Sequence, residues 1–158
     1  MIKIRKFSLS DLGKVMEIKR MSFPEPWPEV YFKKLYKEHP QDFHVADFAG
    51  KVVSYILGYA KPNKSGSIKT LAVAPNFRRR GIGKELVNFI IQRLKEKNVK
   101  EFFLHTRTKN REARSFYKKL GFSIIKIVKK YYRNGDDDYS MKLSLHLNPR
   151  SASPRSGI

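Results

Sequence analysis

The sequence predicts an α+β protein built on one β-sheet of mixed strand direction. Apolar and alternating segments fall at Ile2–Phe7, Phe43–Phe48, Val52–Tyr59, Ile68–Val73, Phe102–Thr106, Phe122–Val128 and Tyr139–Leu145. Segments with apolar residues at helical spacing lie between several of them and give the order β-α-α-β-β-β-α-β-α-β-β. Short turns join some neighbouring strands and helices carry the chain between others. Antiparallel and parallel pairs must therefore share the sheet.

Each element has its own local reason. After the first strand, Ser8-Leu9-Ser10-Asp11 fits a capping box, and Leu12, Val15, Met16 and Ile18 make the stripe of a helix. Phe23-Pro24-Glu25-Pro26-Trp27-Pro28 cannot be helix interior, because prolines remove amide donors and hold the preceding residues extended. Pro28 starts a second helix with Tyr31, Phe32 and Leu35 on one side. Ala49-Gly50-Lys51 turns the second strand into the third, and Lys61–Gly66 is a polar loop before the fourth. Gly83–Lys97 is an amphipathic helix carrying Leu86, Val87, Ile90, Ile91 and Leu94. Asn110 caps a helix that runs through Leu120, with Gly121 at its left-handed C-terminal position. The last two strands join through Asn134-Gly135. Residues 1–147 read as one domain, and from Asn148 the Pro, Ser, Arg and Gly content predicts a disordered tail to Ile158.

Composition narrows the class. The chain has 158 residues, 41% hydrophobic and 30% charged, enough for one domain with a full core. No apolar run approaches a membrane span, and Met1–Lys6 alternates like a strand instead of carrying a signal peptide's apolar segment, so the expected location is the cytoplasm. With no cysteine, a disulfide framework, a thiolate metal site and a cysteine nucleophile are excluded. The net charge of +20 predicts attraction to polyanions: RNA, a ribosome surface or a phosphorylated cofactor.

The stretch Arg78-Arg79-Arg80-Gly81-Ile82-Gly83-Lys84 lies between a strand and a helix. The first amides of a helix have no internal partner, the dipole places partial positive charge there, and glycine lets the main chain approach an anion. Arginines and a lysine add positive charge, so the turn reads as a phosphate site. It is not a P-loop, since Glu85 follows Lys84 where a hydroxyl is needed. Nor is it the dinucleotide fingerprint, since Leu86 stands three residues after Gly83.

Several segments together resemble the GNAT acetyltransferase superfamily over nearly all of residues 1–147. They are Leu71-Ala72-Val73, Arg78-Arg79-Arg80-Gly81-Ile82-Gly83, Asn110, and Ala113-Arg114-Ser115-Phe116-Tyr117-Lys118-Lys119-Leu120-Gly121-Phe122. Within it the chain is similar to protein N-terminal acetyltransferases, including the ribosomal-protein-alanine (RimI) type, through Phe23-Pro24-Glu25, Lys130-Tyr131-Tyr132 and Asn134–Met141. The resemblance implies the GNAT fold, a mixed sheet of about seven strands with about four helices around it. It also implies acetyl-CoA as cosubstrate. Amides of Arg79 to Lys84 would hold the pyrophosphate, the edge of Leu71, Ala72 and Val73 would pair with the pantetheine arm, and Asn110 would touch the cofactor.

The implied reaction is direct attack of an amine on a thioester. An α-amino group with a pKa of about 8 is partly neutral at pH 7, so a modest base suffices. By resemblance Tyr117 is the proton donor to the departing sulfur. His105 stands where RimI-type enzymes carry a glutamate and some eukaryotic relatives a histidine, and a histidine suits a base at neutral pH. Glu25 is the alternative base or an anchor for the substrate ammonium. Phe23 and Pro24 would line the pocket for the first substrate side chain, and Tyr131, Tyr132 and Tyr139 would offer hydroxyls to its backbone. His39, His44 and His146 have no motif around them, and Asp136-Asp137-Asp138 lacks EF-hand spacing and reads as a polar hairpin tip, so no metal is expected.

The leading expectation is thus an Nα-acetyltransferase for protein N-termini, ribosomal proteins among them. The alternatives are the same chemistry on a lysine or small amine, and a non-catalytic basic module that binds RNA or the ribosome. An open groove would admit an internal lysine. A gate closed between the 23–28 loop and the Tyr131 hairpin would admit only a chain end.

Overall fold

Strands form where apolar residues alternate, and their two faces collect two separate cores. The computed structural model describes residues 1–23, 25 and 27–145; Pro24, Pro26, His146 and the tail expected over 148–158 lie outside the described residues. The strands are β1 (Ile2–Lys6), β2 (Phe43–Phe48), β3 (Lys51–Ala60), β4 (Gly66–Val73), β5 (Glu101–Arg107), β6 (Ser123–Val128) and β7 (Asp138–Ser144). They make one seven-stranded sheet in the order β1-β2-β3-β4-β5-β7-β6. The β4–β5 pair is parallel and every other pair is antiparallel.

Helices α1 (Leu12–Ser22) and α2 (Glu29–Glu38) cover one face, and α3 (Ile82–Lys95) and α4 (Arg111–Lys119) the other. Leu12, Val15, Ile18, Phe32 and Leu35 pack with Phe43, Val45, Tyr55 and Leu57. On the opposite face Ile82, Leu86, Val87, Ile90 and Tyr117 pack with Val53, Ile56, Ile68, Phe102, Leu104 and Met141. The interior strand β3 is therefore buried on both sides, which is why Val52–Leu57 reads as an almost unbroken apolar run.

The ends largely follow their chemistry. A short 3₁₀ turn, Leu9–Asp11, precedes α1, and the Ser8 amide donates to Asp11 Oδ2 at 2.9 Å. Pro28 stands just ahead of α2 as its N-cap, so the helix begins at Glu29, one residue later than expected from the sequence. Asn110 Oδ1 accepts from the Ala113 amide at 3.0 Å, and Gly121 takes φ 102° after α4.

One departure from regular pairing shapes the site. β4 and β5 pair only at Gly66–Phe102 and Ser67–Phe103. A Cβ on Gly66 would stand 2.5 Å from the Phe102 ring, so glycine is what lets the strands meet there. Just beyond, the β3–β4 register jumps from Gly58–Ile68 to Leu57–Thr70, leaving Lys69 as the extra residue of a β-bulge. A bulge bends its strand and increases the twist. Past it, Leu71–Val73 pair with β3 alone and His105–Arg107 with β7 alone. A V-shaped cleft opens between the two strands.

Candidate active site

The turn before α3 is built as an anion cradle. Arg79 and Gly81 both take left-handed backbone, φ 63° and 82°, which turns successive amides to one side. From Arg79 to Lys84 no amide donates to a carbonyl or side chain among the described residues; the first helical bond is Glu85 N–H to Gly81 C=O at 3.0 Å. A Cβ on Gly83 would press to 3.2 Å from the Phe116 ring, so glycine also lets α3 approach α4. Unpartnered amides and a helix N-terminus fit a diphosphate.

The arginines are less mobile than the sequence suggests. Arg78 Nε donates to Val73 C=O at 2.9 Å and its Nη2 to Ser22 Oγ at 3.1 Å, so Arg78 fastens β4 to the end of α1. Arg80 lies over the Phe77 ring at 4.9 Å, and Arg79 faces Glu112 at 3.7 Å. Among the described residues, Arg80 and Lys84 bring exposed charge to the turn with no carboxylate within 4.0 Å, and Arg79 adds charge shared with Glu112.

On β4 the Ala74 amide donates to Val53 C=O at 2.8 Å, so the main-chain groups of Ala72 and Ala74 face β3. By alternation those of Leu71 and Val73 face the cleft. Arg78 already occupies the Val73 carbonyl, which leaves the Val73 amide and the Leu71 groups for an extended, amide-bearing ligand.

Tyr117 projects from α4 and packs edge-on to Phe116 and Phe122. The residue is 8% exposed, and its hydroxyl makes no hydrogen bond to a described residue. Burial, with Tyr55 nearby, raises the phenol above its ordinary value, so Tyr117 keeps its proton at neutral pH.

On the opposite face of the sheet, β5 presents His105. Its Nδ1 is 2.6 Å from Asp138 Oδ2 and 3.4 Å from Ser140 Oγ. Asp138 has no solvent exposure, and its other oxygen accepts from the Tyr132 hydroxyl at 2.9 Å. Tyr131 stacks on the imidazole at 4.7 Å. Burial and the nearby Asp138 raise both phenols, so Tyr131 and Tyr132 stay neutral. A carboxylate oxygen accepts, so the Asp138 contact favours the tautomer with the hydrogen on Nδ1 and the lone pair on Nε2.

Asp138 is what the sequence reading missed. Asp136 and Asp137 do sit at the hairpin tip, held by Arg107, Lys109 and Asn134 and by Lys129 and the Lys130 amide. Asp138 instead opens β7 and points inward. The register of His105 opposite Ser140 would have revealed it, because Asp138 lies two residues along on the same face.

Glu25 is not a free carboxylate. It lies 3.8 Å from Arg107, which also holds Asp136 at 3.1 Å and stacks over Tyr132 at 3.9 Å. Those contacts join the 23–27 segment to the 129–137 connection. Phe23 is half-buried beside α1, and Pro24 is outside the described residues. Tyr139 does not join Tyr131 and Tyr132. Strand alternation turns it to the α4 face, where Arg114 lies 5.2 Å from its ring, so its expected contact with a substrate backbone is withdrawn.

Among the other histidines, His44 is buried against Phe89, and His39 stacks on Tyr59. No helix among the described residues is long and apolar enough to cross a membrane.

Comparison with known proteins converges on one family. A model of the acetyltransferase (GNAT) family matches residues 12–122. An N-alpha-acetyltransferase of Sulfolobus acidocaldarius is 35% identical over 155 residues, covering 90% of this chain and 92% of the relative. Ard1 of Thermoplasma volcanium superposes with a TM-score of 0.88 at 33% identity, covering 92% of this chain and 99% of its own. Naa20 of Chaetomium thermophilum, solved with a bisubstrate analogue, gives a TM-score of 0.82 at 27% identity, covering 90% and 86%. A family model spanning most of the chain, and relatives this similar along nearly all of it, leave one assignment: the chain belongs to the GNAT family of acetyltransferases.

Proposed function

We propose that this protein is an Nα-acetyltransferase that moves an acetyl group from acetyl-CoA to the terminal amine of a polypeptide. Bound acetyl-CoA supplies a thioester that an amine can attack. The chain's own residues do the rest. Amides of Arg79 to Lys84 bind the diphosphate, Lys84 adds charge, and Leu71 and Val73 orient the extended arm; Asn110, already a helix cap, borders it. His105 Nε2 takes a proton from the substrate ammonium, directly or through water, while Asp138 holds the ring. Tyr117 keeps its proton on a hydroxyl that makes no hydrogen bond to a described residue, ready to donate.

The observation that carries the N-terminal substrate is the Arg107 link. Glu25, Arg107 and Tyr132 tie the 23–27 segment to the 129–137 connection across the mouth of the cleft. A groove bridged in this way favours a chain end over an internal lysine. Phe23 stands at that mouth, beside the place of the first substrate side chain. The test is incubation with acetyl-CoA and two peptide sets, one with free N-termini and one N-terminally blocked with an internal lysine. Mass spectrometry should find the acetyl group on α-amines; transfer to the blocked set alone would establish the lysine reading.

The basic surface supports a second proposal, that the enzyme meets its substrates at the ribosome. Arg111, Arg114, Lys118 and Lys119 share one side of α4 around a shallow hollow, and none has a carboxylate within 4.0 Å among the described residues. Cosedimentation with ribosomes that falls steeply with salt is the expected result.

A further inference from the structure

Lys19 occupies a place where α1 would ordinarily put an apolar side chain. It continues the spacing of Leu12, Val15 and Met16, and it is 2% exposed. Its Nζ has no hydrogen-bond partner among the described residues. Lysine is almost never fully buried unless paired, because an ammonium loses its hydration and gains nothing in return. The compensation here is slight. The Trp27 and Phe23 rings lie 5.2 and 6.0 Å from Nζ, at the far reach of a cation–π contact. Glu25 attracts it from a distance but is engaged with Arg107, which repels it.

The surroundings repeat the imbalance. Lys69, the bulge residue of β4, reaches toward the same Trp27 ring at 5.9 Å. Lys19 and Arg107 thus both lie near Glu25, and Lys69 shares the Trp27 ring with Lys19. An incoming terminal ammonium adds another positive charge. A substrate that brings its own carboxylate removes the conflict.

We propose that Lys19 is the counter-ion for a carboxylate on the first residue of the substrate, so that the enzyme favours amino termini beginning with Asp or Glu. This rests on the N-terminal acetyltransferase reading. The side chain would enter beside Phe23, lay its methylene carbons along Trp27 and reach Nζ as the Phe23 ring turns aside. The buried ammonium then gains a hydrogen-bonded partner that the described residues do not give it, which explains why α1 keeps a lysine in an apolar stripe.

The test measures kcat/KM with the full chain for peptides beginning with Asp, Glu, Asn, Gln, Ala and Ser. The isosteric pairs are expected to differ by about tenfold or more in favour of the acid, the size of a charge-assisted hydrogen bond. In Lys19→Met, which fills the same buried space without charge, the Asp-to-Asn and Glu-to-Gln ratios are expected to fall toward one. Because the readout is a ratio, partial loss of folded enzyme does not affect it. A wild-type ratio of one or less, or a ratio unmoved in Lys19→Met, overturns the proposal. If Ala and Ser peptides gain an α-acetyl group while the acids show no advantage, this inference fails and the N-terminal reading stands. If no peptide gains one, both fail.

Discussion

His105 Nδ1 and Asp138 Oδ2 lie 2.6 Å apart across the β5–β7 ladder, with Asp138 wholly buried and Tyr132 holding its second oxygen. That geometry orients an imidazole more firmly than a half-exposed strand histidine could be held alone. Asp138 is wholly buried and acts through His105, so it is a positioning residue. Asp138→Asn should lower kcat by about 10- to 100-fold while the KM for acetyl-CoA and the Tm change little. In a His105→Ala background the same substitution should cost nothing further, because residues acting as one unit are non-additive. Equal losses in the two backgrounds would remove the dyad from the mechanism.

Tyr117 carries a hydroxyl that makes no hydrogen bond to a described residue, while its ring fills a core position against Phe116 and Phe122. Tyr117→Phe keeps the ring and deletes only the unpartnered group, so stability should hold within about 1 kcal/mol. Turnover should fall by about 100-fold or more if the phenol supplies a proton. Coenzyme A affinity, read by titration calorimetry, should stay close to wild type. Unchanged turnover would reduce Tyr117 to a packing residue.

Gly81 separates strain from charge at the anion turn. Its φ of 82° is unfavourable for any side chain, but a Cβ there meets no atom within 4 Å. Gly81→Ala adds backbone strain alone, about 1 kcal/mol. Gly81→Asp adds the same strain and a negative charge beside amides left open for an anion. Coenzyme A should therefore bind Gly81→Asp at least about tenfold more weakly than Gly81→Ala. Equal affinities for the two variants would move the diphosphate elsewhere.

Local features were legible in the sequence and long-range ones were not. The helix stripes, the Asn110 cap, the left-handed Gly121 and the Gly-rich turn depend on neighbours a few residues away, so spacing alone exposed them. Asp138 hid inside an acidic run, because its direction depends on which residue of β5 it faces. The β4 bulge that opens the cleft leaves no mark around Lys69, since a bulge is a property of two strands in register. Arg78 read as a free cation for the same reason, its partners lying on β4 and at the end of α1. Lys19 lay just past a stripe that the sequence reading ended at Ile18.

His44 makes the stability of the fold depend on pH. It sits on β2, 3% exposed, with its ring edge-on to Phe89 at 4.8 Å and Nδ1 unpartnered among the described residues. Burial, reinforced by the nearby Arg93, pushes the imidazole down to about 4. In the unfolded chain the same group titrates at about 6.5. Above that value both states are neutral and the contribution is fully present. As pH falls from 6.5 toward 4, the unfolded chain takes up a proton the native protein refuses, and stability drops by up to about 3 kcal/mol. About 2 kcal/mol of this should be gone by pH 5, before most carboxylates titrate. Urea unfolding at pH 7, 6 and 5 should show the decline, and His44→Leu should flatten it by removing the proton-binding group. A variant that loses stability over this range as steeply as wild type would assign the dependence to other groups.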